Sequence, residues 1–250
     1  MNIIVCLKQT FDTEAKIELK DGEIATQGIK HIINPYDEFA VEEALKIKEA
    51  QGGEVTVISV GDDQAQEALR QALAMGADKA VLVKNPQGDE YAVAKVLAEA
   101  VAGMEYDLIL GGHVAIDDGS GQVATRLAQE LDLPQVNVVT KLELKDGQAE
   151  CTREIEGGSE IVETPLPAVV TCQKGLNEPR YPSLKGIMQA KKKELKQVTP
   201  EELGVEVEKQ VEILEIFLPP KKEAGKIIEG EAEEAGKELV RLLKEEAKVI

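Results

Sequence analysis

Cysteine and histidine are nearly missing from this sequence. Cys6, Cys151 and Cys172 form no CxxC pair, and only His31 and His113 could complement them. Neither a zinc site nor a disulfide framework is expected, and a reducing, cytoplasmic compartment is the default. Basic charge is scarce: 29 Lys and Arg stand against 47 Asp and Glu, a net charge of -18. Such a surface repels a phosphate backbone, so nucleic acid is not an expected partner. Long apolar runs are absent too. The opening "MNIIVCLK" is too short for the core of a signal peptide, and no stretch approaches the ~20 apolar residues of a membrane helix, so a soluble chain without membrane insertion is expected. Catalytic signatures are missing as well: Gly236-Lys237 lacks the partner glycine of a P-loop, and there is no GxSxG, no HExxH and no His beside a candidate nucleophile. A hydrolase is hard to build from these residues, and no catalytic residue is expected.

What the sequence does contain is alternation. "NIIVCL" (Asn2 to Leu7), "EVTVISVG" (Glu54 to Gly61), "KAVLV" (Lys79 to Val83) and "YDLILGG" (Tyr106 to Gly112) are short, β-branched apolar runs that predict buried parallel strands. Between them, Pro35 to Gln51, Ala65 to Met75 and Tyr91 to Val101 carry apolar residues spaced for one helical face. The expected fold class is α/β, a doubly wound, mostly parallel sheet with a nucleotide-binding crevice. "IELKDGEIAT" predicts a small hairpin about Asp21-Gly22, and Asn34-Pro35 a helix start. After Leu133-Pro134 the texture becomes "VNVVTKLEL", "AECTREI", "EIVET" and "PAVVTC", an antiparallel β extension of the same sheet. Residues 1–200 are expected to form the nucleotide-binding domain. Residues 201–250 are expected to form a C-terminal arm: polar turns, a strand-like "VEILEIFLP", a "LPPKKEAGK" linker, and a helix from about Gly230 to Lys248 with a Leu239, Leu242, Leu243 stripe.

The stretch "LGGHVAIDDGSGQVATRLAQEL" ends a strand in two glycines and opens a helix at Gly119-Ser120-Gly121, which would turn backbone N–H groups toward an anion. Gly119, Gly121 and Ala124 satisfy G-x-G-x-x-A, but the long loop after a fourth strand argues against a dinucleotide fingerprint. In open α/β sheets ligands lie beyond the strand C-termini where strand order reverses, and Cys6, Asn34 to Asp37 and Val60 would line that crevice with this loop. His113 could face it; Asp117 and Asp118 fit turn-making as well as acid chemistry.

"GLNEPRYPSLKGIMQAKKK", Gly175 to Lys193, inverts the local charge: Arg180, Lys185, Lys191, Lys192, Lys193 and Lys196 outnumber Glu194. Ser183 precedes Leu184, Ile187 and Met188, an i, i+3, i+4 triplet on about two helical turns, with the lysines at the end the helix dipole favours. A basic patch on an acidic chain suits an acidic partner.

Four stretches, "NEPRYPSLKGIMQAKKK", "INPYDEFAVEEAL", "ALAMGADKAVLV" and "AIDDGSGQV", resemble the β subunits of electron transfer flavoproteins, over Met1 to about Gly204. The resemblance implies a heterodimeric electron carrier. A larger α subunit holds the redox-active FAD, and the β chain supplies a scaffold and a buried AMP. It implies an AMP site at Cys6, Asn34, Pro35, Tyr36, Asp37, Val60 and the segment Leu108 to Val123, including Gly111, Gly112, Asp117, Asp118, Gly119 and Ser120, with the phosphate at Gly121, Gln122 and Val123. It further implies that acyl-CoA dehydrogenases dock on the segment around Leu184, with Arg180, Tyr181, Ile187 and Met188 beside it. Electrons then leave for a membrane quinone oxidoreductase or another acceptor, as in fatty acid β-oxidation. The lysine run matches a place where some relatives are methylated. Two departures stand out. Thr13 occupies a position where many relatives place a flavin-facing tyrosine, with Phe11 the only aromatic nearby. "AIDDGSGQVAT" differs from the "AIDGDTAQVGP" of electron-bifurcating relatives, which hold a second FAD in place of AMP. The alternatives are such a bifurcating subunit and a stand-alone nucleotide-binding sensor.

Overall fold

The computed structural model describes residues 1–84, 88–220 and 224–250. In chain order the elements are β1 (Asn2–Cys6), β2 (Gln9–Phe11), β3 (Leu19–Lys20), β4 (Glu23–Ile24), β5 (His31–Ile33), α1 (Pro35–Gln51), β6 (Glu54–Gly61), α2 (Ala65–Met75), β7 (Lys79–Lys84), α3 (Glu90–Ala102), β8 (Leu108–Gly112), α4 (Val123–Glu130), β9 (Gln135–Lys145), β10 (Gln148–Ile155), β11 (Gly158–Pro165), β12 (Ala168–Cys172), α5 (Leu184–Ala190), β13 (Leu195–Val198) and α6 (Ala232–Glu245). The chain divides into two compact units, residues 1–17 with 25–214, and residues 18–24 with 215–250.

The larger unit is built on one 9-stranded sheet in the order β11-β10-β9-β12-β8-β1-β6-β7-β13. Consecutive residues of β1 point to opposite faces, which explains why its apolar run does not alternate with polar residues. Ile3 and Val5 pack with Ala40, Val41 and Ala44 of α1 and with Leu69 and Leu73 of α2. Ile4 packs with Val96, Leu97 and Val101 of α3 and with Leu127 of α4. Each fully buried aliphatic side chain of this kind contributes about 1.5–3 kcal/mol. With almost no aromatics, the core is a jigsaw of Ala, Val, Ile and Leu.

Strand order reverses at β1, which lies between β6 and β8, both parallel to it. Gly111 and Gly112 close β8 beside Cys6 at the end of β1, so the loop into α4 begins at the switch point.

The expected antiparallel extension is present as β9, β10 and β11, but one strand counted with it needs correction. β12, the "PAVVTC" run, is inserted between β8 and β9 and runs parallel to both. Alternation within a strand cannot say which neighbour it finds; return through the Leu166-Pro167 turn after β11 carries β12 back to the buried centre, where all five of its residues are covered. A second correction concerns "VEILEIFLP", which forms no strand. The N–H groups of Gln210 and Val211 bond the Asp89 carboxylate, at 2.5 and 3.0 Å, instead of a neighbouring strand, and Ile213 and Leu214 stay exposed. An apolar alternation without a partner to pair with is not a strand.

The larger unit also runs beyond residue 200: Leu203, Val205 and Val207 pack against the face that holds α3 and α4. In the smaller unit, the predicted hairpin forms at Asp21 and Gly22, whose φ angles of 55° and 82° suit a two-residue turn. Its helix α6 buries Leu242, so the stripe is covered at that residue, while Leu239 stays exposed. Of the "LPPKKEAGK" linker, residues 221–223 lie outside the described residues.

Candidate functional site

A crevice of about 1160 Å³ opens at the C-terminal ends of β1, β6 and β8. Its floor is organised by two buried polar residues at the start of α1. Asn34 precedes Pro35, the first helical residue, yet its side chain makes no capping bond to α1. The amide instead donates to the Val114 carbonyl (2.9 Å) and accepts from the Ile116 N–H (3.2 Å), tying down the loop between β8 and α4. Asp37, one helical turn on, accepts the Lys8 N–H at 2.6 Å on one oxygen and the Gly112 N–H at 2.8 Å on the other. Burial pushes its carboxyl up to about 7, against the downward pull of those two N–H groups. Gly112 is required there, because a Cβ would run into the Asp37 carboxylate and the Tyr36 backbone.

Residues 113–122 then turn toward α4. Gly119 and Gly121 adopt φ of 67° and 61°, and a side chain on Gly121 would crowd the His113 carbonyl. α4 starts at Val123 with Gln122 as its N-cap and no side-chain cap bond, so its first N–H groups have no carbonyl one turn back within the helix, an arrangement able to accept an anion. Lys8 reaches across from the end of β1, with Nζ 2.8 Å from Asp117 and 2.7 Å from Asp118. The Cys6 thiol, pushed up to about 12 by burial and then by Asp37, stays a neutral wall residue.

Of the residues singled out from sequence, Cys6, Asn34, Asp37, Val60, Gly111, Gly112, Asp117, Asp118, Ser120, Gly121, Gln122 and Val123 come together around this crevice. Leu108, Pro35, Tyr36 and Gly119 do not line it. Leu108 opens β8 and is buried at the end of the strand away from the crevice, and the Tyr36 ring packs edge-on against His113, centroids 4.3 Å apart. Lys8, Thr10 and Ser59 were missed as site residues. Lys8 follows the end of β1, and the rule that ligands collect beyond strand ends could have found it. The other two carry a structural signal only. Among the described residues, the buried side-chain atoms without a hydrogen-bond partner are Thr10 Oγ1, Ser59 Oγ, His113 Nδ1 and Asn177 Oδ1, and the first three belong to residues lining the crevice. Unsatisfied groups collected at one concave site are what a polar ligand would complete.

The basic segment sits elsewhere on the same unit, and its lettering divides into anchors and exposed groups. Asn177 donates to the Phe39 carbonyl and to Glu43, and the Arg180 guanidinium bonds the buried Glu42 and the neighbouring Glu49, all on α1. Pro182 leads to Ser183, whose hydroxyl caps α5 by accepting the Gly186 N–H at 3.0 Å. α5 and α2 then cap one another: Arg70 donates to the carbonyls of Ala190 and Lys193, while Lys193 Nζ donates to those of Leu73 and Ala77. α5 lies so close to α2 that a Cβ on Gly186 would strike the Ala74 carbonyl. Its inward face is therefore Gly186 and Ala190. The apolar triplet points the other way, with Leu184 84%, Met188 72% and Ile187 46% exposed, beside Tyr181 at 95%. Arg180 and Lys193, counted in the basic patch from sequence, are engaged with the body of the unit.

Among the described residues, no group of three or more His, Cys, Asp or Glu could hold a metal ion and no helix is long and apolar enough to cross a membrane.

A sequence model of the electron transfer flavoprotein domain matches residues 21–203. The chain is 51% identical over 257 residues to the electron transfer flavoprotein subunit beta of Bacillus subtilis, covering both chains in full. It is 52% identical over 251 residues to that of Syntrophomonas wolfei, covering 100% of this chain and 98% of the relative. The human subunit beta is 38% identical over 237 residues, 92% of this chain and 93% of its own. With a crevice at the switch point and an exposed apolar helix on an acidic body, the chain belongs to the electron transfer flavoprotein family as a β subunit, an electron-carrier subunit and not an enzyme.

Proposed function

We propose that this chain binds AMP in the crevice, pairs with an α subunit that holds most of the FAD, and docks acyl-CoA and related dehydrogenases through residues 175–193. Electrons then pass to a membrane quinone oxidoreductase or another acceptor. The observation that carries the nucleotide reading is the pairing of an anion-accepting helix start at α4 with unpartnered buried polar groups in the same crevice. The start of α4 would take the phosphate. Asp117 and Asp118, held by Lys8, fix the loop that leads to this helix start.

Docking rests on an apolar knob whose surroundings are fixed. Leu184 and Met188 stand out from a capped helix locked to α1 and α2, so little order has to be created on binding. Lys185, Lys191 and Lys192 are exposed around it and would steer an acidic partner. Bound FAD supplies the electron-accepting chemistry; the residues of this chain orient, shield and dock. The free thiols of Cys6, Cys151 and Cys172 suit a reducing compartment such as the cytoplasm.

The test is nucleotide content. The heterodimer, purified with its α subunit and denatured, is expected to release one AMP and one FAD. Two FAD and no AMP would establish the bifurcating alternative, and a stable monomer binding nucleotide alone would establish the sensor.

A further inference from the structure

Asp89 divides its carboxylate between two tasks. One oxygen caps α3, accepting the Ala92 N–H at 2.9 Å. The other accepts the N–H groups of Gln210 and Val211, at 2.5 and 3.0 Å, from 121 and 122 residues further along the chain. Residues 209–213 line the crevice together with Asp89, Glu90 and Val93, so they continue the wall that the start of α3 begins. They also face solvent, with Val211 60% and Ile213 76% exposed. A segment that lines a crevice and is exposed along its length forms the rim of that crevice.

Little else holds this rim. Leu203, Val205 and Val207 pack against the face that holds α3 and α4, and there the packing stops: residues 208–214 are all exposed. Among the described residues, the two bonds to Asp89 are the only hydrogen bonds that residues 208–214 make. A carboxylate holds an N–H group more strongly than a neutral acceptor does, which gives the segment a definite closed position. No buried apolar contact backs those bonds, so opening breaks only the two of them, and water replaces both. Packing at one end and a single side chain beyond it leave the segment free to swing whenever that side chain lets go.

We propose that residues 208–213 are a strap at the mouth of the crevice and that Asp89 is the latch that keeps it closed, setting how fast the crevice exchanges its ligand. The inference rests on the AMP reading of the crevice and concerns the passage of the ligand, not its contacts. Asp89 acts through the strap and is a positioning residue. Because the latch joins two parts of this chain, it hinders entry and exit alike. It therefore governs rates far more than affinity.

The experiment compares heterodimers carrying the wild-type chain, Asp89→Ser and Gln210→Pro. Serine keeps a cap for α3 but gives up the oxygen that holds the strap, whereas proline removes a strap N–H and leaves Asp89 and its cap in place. Displacement of bound AMP by labelled AMP gives the exit rate, addition of AMP to the nucleotide-stripped heterodimer gives the entry rate, and the melting temperature is recorded for each. Both variants are expected to speed entry and exit about tenfold, with Kd within about twofold of wild type and, for Gln210→Pro, an unchanged melting temperature. Exchange as slow as wild type in Gln210→Pro, beside a fast and less stable Asp89→Ser, would trace the effect to the α3 cap and overturn the latch. A faster exit with unchanged entry would make the strap a direct contact to the ligand and overturn the gate. Unchanged rates in both variants would mean that the ligand passes without moving the strap, which overturns the inference as well. All three outcomes leave the AMP reading intact; a wild-type heterodimer that holds no AMP overturns that reading, and does so before any variant is made.

Discussion

Asp37 joins two strand ends, accepting one N–H from Lys8 and one from Gly112, and it does so almost without water. The folded chain holds a proton there up to about pH 7, whereas an unfolded aspartate releases it near pH 4. The unfolded state then binds fewer protons between those values, so this group's contribution to stability is full below about pH 4 and is lost as pH rises through 7. Asp37→Asn keeps the shape but turns an amide N–H toward one of the two donors, which is expected to cost about 1–3 kcal/mol. Urea unfolding at pH 5 and pH 8 checks both points: the gap between wild type and variant should be wider at pH 5. A gap that widens toward pH 8 would mean that the two N–H groups dominate and that Asp37 is an ordinary ionised carboxylate.

At the scale of elements, α5 separates what holds it from what it offers. Glu42 is buried against Arg180, so Arg180→Ala strands a carboxylate and is expected to destabilise the chain by about 3 kcal/mol, read as a lower melting temperature. Leu184→Ala removes an exposed side chain and should move stability by less than about 0.5 kcal/mol. If Leu184 is the docking knob, the same change weakens the complex with an acyl-CoA dehydrogenase by about 2 kcal/mol, seen as a raised KM for the carrier in steady-state electron transfer. Unchanged transfer with every dehydrogenase would place the anchor elsewhere. A melting temperature that falls in step with activity would make Leu184 a packing residue.

For the whole molecule, the net charge of -18 and the apolar residues left exposed near the C-terminus pull in opposite directions. Val211, Ile213, Leu214, Phe217, Leu218 and Ile227 are all exposed, although apolar side chains gain by being covered. Cover by the α subunit is the proposed resolution. The chain expressed alone is expected to self-associate, and co-expression with the α subunit should give a yellow heterodimer in size-exclusion chromatography. Ending the chain at Pro219 should lower the melting temperature of that heterodimer; assembly and melting unchanged by the truncation would show the C-terminal segment dispensable.

The parallel strands and the helices between them were legible because their signals are local. Apolar runs of strand length, a proline at the first turn of α1 and glycines after α1 and α2 mark those elements within a residue or so. The loop from β8 to α4 was legible too, since two glycines end the strand and Gly119 and Gly121 mark the turn before the helix. Sequence alone did not determine which strand β12 would join, because pairing partners are set by the whole sheet. Nor did it determine which face of α5 would be buried. An apolar triplet at this spacing can serve packing or docking, and contact with α2 demanded the small Gly186 and Ala190 on the inward face and turned Leu184 outward. The same holds for the charges of Arg180 and Lys193 and for the hydroxyls of Thr10 and Ser59. Whether a polar side chain is engaged or free depends on partners more than 100 residues away or on their absence, and only the tertiary structure brings those partners within a hydrogen bond's reach.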